Sequence, residues 1–301
     1  MELRNLVPLA AMPAMMIVVQ LLALYLSHPL QEAGVAAFED PTSVANPFIF
    51  LAILLVFTLF LLVLMRFGVK RLIGIIIAVS LFFTFIYVFG ALFAYFFPSF
   101  ALAGIAVLAL SVTATVILYR FPEWYVIDSL GILLAAGVAS IFGISLAILP
   151  VIILLALLAA YDAIAVYRTK HMITLAEGVL SERAPILFVV PRRRDYSFIR
   201  EGVAIGDEAQ ERGAFIIGMG DLIMPSILVV SALVFLDSGG AVFTAPVVGA
   251  MLGSVAGLLF LLRAVGKGKP QAGLPPLNGG AIAGFLLGCL ISGQWAWLPV
   301  F

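Results

Sequence analysis

Residues 214–236 read "AFIIGMGDLIMPSILVVSALVFL", an apolar run broken by one charged side chain, Asp221. At 1.5 Å of rise per residue, a helix of this length crosses a hydrocarbon core about 30 Å thick. The run lacks the period-two polarity that a water-filled barrel imposes on its strands, so the expected element is a transmembrane helix. That reading raises a question of chemistry. A carboxylate near the centre of such a helix costs about 2.5 to 3.5 kcal/mol on the insertion scale.

The pattern repeats along the chain. Apolar spans are expected at 6–26, 47–65, 72–96, 100–119, 126–146, 148–167, 214–236, 242–262 and 278–298. With 64% apolar residues, 11% charged residues and a mean hydropathy of +1.23, the 301-residue chain lies far from soluble domains. The expected fold is all-α: a polytopic membrane protein of nine transmembrane helices, forming one integral-membrane domain over 1–301. The first span, preceded by "MELRN" and containing Pro8 and Pro13, is long for a signal sequence and is read as retained. The single cysteine, Cys289, can form no intrachain disulfide.

The basic residues set an orientation. With the amino terminus in the cytoplasm, all sixteen Lys and Arg fall on the cytoplasmic side. The opposite side keeps His28, Glu32, Glu39, Asp40 and Asp237. The positive-inside rule requires only a bias, and here the separation is complete. The carboxyl terminus is then outside. The zero net charge conceals this polarity and gives no reason to expect nucleic-acid binding. Most connections are short, so neighbouring helices should be antiparallel. The cytoplasmic loop 168–213 is the longest, with "PRRRD" near its centre, and reads as a solvated linker with a basic anchor to anionic headgroups. The acidic outer loop after the first span could lie on the membrane surface. No internal repeat points to an inverted-repeat transporter.

Three acids fall within predicted spans: Asp128, Asp162 and Asp221. Asp128 stands at the entrance of the fifth span and should reach the interface. Asp162 precedes Arg168 by six residues and Asp221 follows Arg212 by nine, which puts the two carboxylates roughly 9 and 13 Å below one charged edge. The sixth and seventh spans run in opposite directions, so matched depth is what would let them meet. No span supplies a basic partner. Three explanations compete: protonated or hydrogen-bonded packing residues, a proton or cation path, and a carboxyl dyad. In a dyad, like charges held close share one proton, so one member activates water while the other donates to a carbonyl oxygen. Gly218 and Gly220, flanking Met219, remove side chains beside Asp221 and would admit a substrate backbone. Close helix packing accounts for such glycines equally well.

These residues resemble a known family. "YD" at Tyr161 and Asp162, and "GMGD" from Gly218 through Met219 and Gly220 to Asp221, are similar to the paired YD and GxGD motifs of the presenilin and signal peptide peptidase family of intramembrane aspartyl proteases. The nine-span count agrees, and an archaeal-type presenilin is the nearest description. The family's third motif, Pro-Ala-Leu-Pro, has its counterpart in "AGLP": Leu274 and Pro275 match, while Ala272 and Gly273 replace the first two residues. A cytoplasmic amino terminus is a presenilin trait, which implies substrates whose single span has its amino terminus outside.

The resemblance implies a protease acting on transmembrane helices within the lipid bilayer, in the cell membrane or, in a eukaryote, an internal membrane. Asp162 and Asp221 would hold the attacking water, with no metal or organic cofactor. Presenilins cut their own loop between the sixth and seventh spans and work with partner subunits, whereas signal peptide peptidases act alone; a homo-oligomer stays open. A helical substrate hides its peptide bonds and must unwind, so the enzyme has to offer a strand-like edge. "AGLPPL" is one candidate for that edge, and the start of the ninth helix is the other reading of the same prolines. Tyr161 lies about 100° around the helix from Asp162 and is expected to line the substrate route without bonding that carboxylate. The rival activities are a prepilin-type peptidase, which leaves the YD pair unexplained, and a proton-coupled transporter or cation channel.

Overall fold

The computed structural model describes residues 3–68, 70–99, 101–169, 187–192, 196–201, 214–237, 239–265 and 271–298. Among the described residues nine apolar helices dominate: α1 Leu3–Glu32, α2 Asn46–Arg66, α3 Lys70–Phe96, α4 Ala103–Arg120, α5 Trp124–Ser145, α6 Ile148–Ile164, α7 Met219–Phe235, α8 Ala245–Val265 and α9 Leu274–Ser292. Eight of the nine, with α6 carried on to Tyr167, reach the length and hydropathy of a membrane span; α7, with 17 residues, falls just short. A π-helical stretch, Ala165–Thr169, prolongs α6.

The all-α expectation needs a correction. Strands β1 Leu187–Pro191 and β2 Ala214–Gly218 pair antiparallel, Leu187 opposite Gly218 and Pro191 opposite Ala214. The run expected to begin the seventh helix at 214 is therefore strand for five residues, and the helix starts at Met219. The physical reason lies in "AFII" and "LFVV". Bulky and β-branched side chains suit a pleated surface, and pairing satisfies amides that could find no water near the membrane. The loop 168–213 is thus partly ordered structure; the rest of it, including Arg193, Arg194 and Asp195 of the basic cluster, lies outside the described residues. Arg192 stacks its guanidinium over the Phe215 ring, 4.0 Å from the centroid.

Helices α1, α5 and α7 form the centre and α2, α3 and α4 the rim. In α5, 56% of the apolar window is buried, against 6% in α2, whose side chains face lipid. Lipid tails are as apolar as leucine, so association rests on close packing and polar ties. Gln20 Nε2 donates to Ser254 Oγ at 2.7 Å, joining α1 to α8. Ser140 Oγ donates to the Ala23 carbonyl at 2.7 Å, joining α5 to α1. Asn278 Nδ2 donates to the Leu155 carbonyl at 3.0 Å, joining α9 to α6. The outer loop is held to the protein rather than spread on the membrane, with Ala37 N–H on Ser145 Oγ at 2.8 Å and Ala147 N–H on the Pro41 carbonyl at 2.8 Å.

Helices α8 and α9 pack backbone to backbone. Gly249 meets Gly284, Gly253 meets Gly280, and Gly257 meets the Pro276 carbonyl; a Cβ on any of them would overlap the opposing main chain. This contact fixes where α9 begins. Gly284→Leu is expected to force the pair apart and destabilise the protein by about 1 to 3 kcal/mol. Gly279→Ala, whose added methyl meets nothing within 4 Å, should be neutral by comparison. Thermal melting of the two variants in detergent measures the contrast.

Candidate active site

Asp162 lies two residues before α6 passes into the π-helical stretch Ala165–Thr169. It is 6% exposed and therefore needs a donor. That donor comes from another helix: Leu274 N–H reaches Asp162 Oδ2 at 3.0 Å. Leu274 is the first residue of α9, and Pro275 and Pro276 follow it. Prolines carry no N–H, so two of the unpaired donors at this helix start are missing and Leu274 presents its amide to Asp162. The structure therefore resolves the two readings of "AGLPPL": the prolines open the ninth helix.

Asp221 is in the first turn of α7, at the third position. It is not near a helix centre, as its place in the 214–236 run suggested, because β2 occupies the first five residues of that run. The positive end of the α7 dipole favours a carboxylate there by about 0.3 to 1 kcal/mol, more when partly buried. Pro225 stands four residues later inside the helix and supplies no amide to the Asp221 carbonyl, which loosens the first turns.

The two aspartates converge on one dipeptide. A Cβ built on Gly273 would lie 3.0 Å from Asp221 Oδ2 and 3.3 Å from Oδ1, while the next residue, Leu274, donates to Asp162. The carboxylates are within electrostatic range of each other. Gly218 flanks them, its absent Cβ 3.6 Å from Asp221 Oδ2. It is the residue preceding α7, in extended conformation, and not part of a helical turn as expected.

The other sequence candidates take varied places. Gly220 is exposed, and a Cβ there would meet nothing within 4 Å, so open space lies beside it, one residue before Asp221. Met219 is buried and packs its methyl on Gly131 of α5, next to Phe188 of β1; it anchors the start of α7. Ala272 is buried, Pro275 is partly buried at the start of α9, and Tyr161 is partly buried one residue before Asp162.

Asp128, near the start of α5, has a partner that the sequence does not show: its Oδ1 accepts the Val189 N–H at 2.9 Å and pins β1 to α5. Glu123, just before α5, accepts from Ser197 Oγ at 2.6 Å and Phe198 N–H at 3.1 Å, holding the helical turn Phe198–Glu201. Burial, with Glu201 and Glu123 nearby, pushes the Tyr196 phenol up to about 12, so it stays protonated. Two carboxylates on α5 therefore dock the inner loop, and the docked loop delivers β2 to Asp221. Sequence reasoning also missed Tyr167 and Gln271. Tyr167 Oη donates to Gln271 Oε1 at 3.1 Å and accepts the Ala272 N–H at 3.3 Å. No motif spacing marks either residue.

Comparisons with known proteins agree with this arrangement. The family described as "Signal-peptide peptidase, presenilin aspartyl protease" matches residues 13–294. Two solved structures of a presenilin family intramembrane aspartate protease are 51% identical and cover 94% of this chain. One, in space group P2, has 98% of its own chain covered and a TM-score of 0.70; the other, in C222, has 99% covered and a TM-score of 0.71. No curated protein matches the chain.

Two outcomes follow from the geometry. Gly273→Val should displace the Asp221 carboxylate and lower turnover at least about tenfold, read as peptide-bond cleavage per folded molecule. Asp128→Ala should leave the Val189 amide without its partner, a loss of about 1 to 3 kcal/mol. Hydrogen exchange at Val189 should then accelerate about tenfold or more, ahead of any change in α8 or α9.

Proposed function

The chain belongs to the signal-peptide peptidase and presenilin family of intramembrane aspartyl proteases, and we propose that Asp162 and Asp221 are its catalytic dyad. The observation that carries this reading is their convergence on Gly273 and Leu274 from two different helices. Two carboxyls held together share a proton, and the pair titrates as one unit. The ionised member takes a proton from water, which attacks the scissile carbonyl carbon. The protonated member donates to the carbonyl oxygen, and the tetrahedral intermediate collapses as the leaving nitrogen takes a proton from the dyad. The C–N bond breaks and one water is consumed.

The substrate is a transmembrane helix that must be opened before attack. Strand β2 supports a route for this. It ends at Gly218, three residues before Asp221, and among the described residues it pairs only with β1. An unwound substrate segment adding to the other edge of β2 would have its amides satisfied by the ladder and its backbone brought to the open space beside Gly220. The strand edge therefore moves from "AGLPPL" to β2 in this account.

The chain is read as one protease domain crossing the cell membrane nine times, with 168–213 as a cytoplasmic loop. The seventh crossing would combine β2 with α7. Arg66, Arg120 and Arg263 stand in the last turns of α2, α4 and α8, which supports a cytoplasmic end for every even-numbered helix and a cytoplasmic amino terminus. Substrates are then single-span proteins with their amino termini outside.

Purified protein incubated with such a substrate tests the dyad. Asp162→Asn and Asp221→Asn should each reduce cleavage by about a thousandfold or more while the fold is kept, as single removals from a cooperating catalytic unit do. Wild-type cleavage rates in either variant would refute the assignment. Acid-dependent ion flux in liposomes without any cleavage would point instead to a transport role.

A further inference from the structure

We infer that Tyr167 is a positioning residue for the dyad, holding the Gln271–Leu274 segment in the register that presents the Leu274 amide to Asp162. The inference rests on the reading of Asp162 as catalytic. Its own basis is a set of contacts on four consecutive residues. Tyr167 Oη donates to Gln271 Oε1 at 3.1 Å and accepts from Ala272 N–H at 3.3 Å. Gly273 faces the Asp221 carboxylate, and Leu274 N–H donates to Asp162 Oδ2 at 3.0 Å. Residues 272 and 274 are alternate positions, so the α6 end grips the segment at two amides, one by Tyr167 and one by Asp162.

The π-helical stretch Ala165–Thr169 explains how both side chains reach the same segment. In a regular α-helix, residues five apart diverge by about 140° around the axis. The wider π-helical turn advances each residue by less than 100°, so from Ala165 onward Tyr167 falls closer to the face that carries Asp162 than a regular α-helix would bring it. Such turns are costly and recur at functional sites, which gives the irregularity a reason to exist here.

Tyr167 ties both Gln271 and Ala272 to the end of α6. Tyr167 is itself 56% exposed, so removing its hydroxyl should cost little global stability. A phenylalanine there would keep the aromatic ring at the membrane edge, and only the two hydrogen bonds would be lost.

The test measures cleavage by Tyr167→Phe, Gln271→Leu and the double variant, with active sites counted by a tight-binding transition-state aspartyl inhibitor. Tyr167→Phe should lower kcat per counted site about tenfold with KM changed less than twofold, because the loss falls on positioning and not on substrate capture. The double variant should be no slower than Tyr167→Phe alone, since both substitutions break the same clasp. An unchanged kcat per site in Tyr167→Phe, or strictly additive losses in the double variant, would overturn the inference. If Tyr167→Phe yields no countable sites, Gln271→Leu decides the matter: it should lower kcat per site, and an unchanged value overturns the clasp. Asp162→Asn run alongside separates the two claims. A dead Asp162→Asn with a fully active Tyr167→Phe removes the clasp and leaves the dyad intact.

Discussion

A carboxylate in a membrane protein must be given donors, and the Leu274 amide reaching Asp162 Oδ2 at 3.0 Å is the contact on which the site depends. It joins α6 to the beginning of α9, whose first amide supplies the donor that Asp162 lacks on its own helix. Asp221 is placed differently, because β2 ends just ahead of it and makes it a first-turn residue of α7. One acid meets the start of a neighbouring helix and the other stands in the start of its own, and both lie against the short segment Gly273–Leu274.

Much of the remaining structure can be read as support for that meeting. The glycine contacts of α8 with α9 set the height of Leu274, and Asn278 ties α9 to α6 through the Leu155 carbonyl. On the other side, Asp128 and Glu123 dock the inner loop on α5, which fixes β1, the partner of β2, which leads into Asp221. The site is held from both flanks by polar contacts, in a medium where apolar burial gives helices little reason to prefer one arrangement. A strand beside the two aspartates adds something a helix could not: an edge with hydrogen-bonding groups available to an extended peptide.

The helices, and the placing of Asp162 and Asp221 against one segment, were legible in the sequence because they depend on one-dimensional quantities. Apolar length reports a span, and distance from Arg168 and Arg212 reports depth. The strand β2 was not legible, because "AFII" is equally apolar in a helix and a strand, and only its distant partner "LFVV" decides between them. The same ambiguity misplaced Gly218 on a helical turn and Asp221 in a helix interior. The entrance of the fifth span marks Asp128 as near the interface, but its donor is a backbone amide 61 residues away, which carries no sequence signature. Tyr167 and Gln271 were missed for a similar reason, since a π-helical turn changes which side chains share a face and a single sequence does not announce it.

If Asp162 and Asp221 together activate water against a peptide bond inside a membrane span, the products show it directly. They are read by mass spectrometry after the purified, reconstituted protein has acted on a single-span substrate in ¹⁸O-water. The expected product has a new carboxyl terminus within the apolar span, carrying solvent oxygen already in the first turnover. Intact substrate under conditions where the protein is folded and binds it, or cleavage only in the flanking soluble residues, would contradict it.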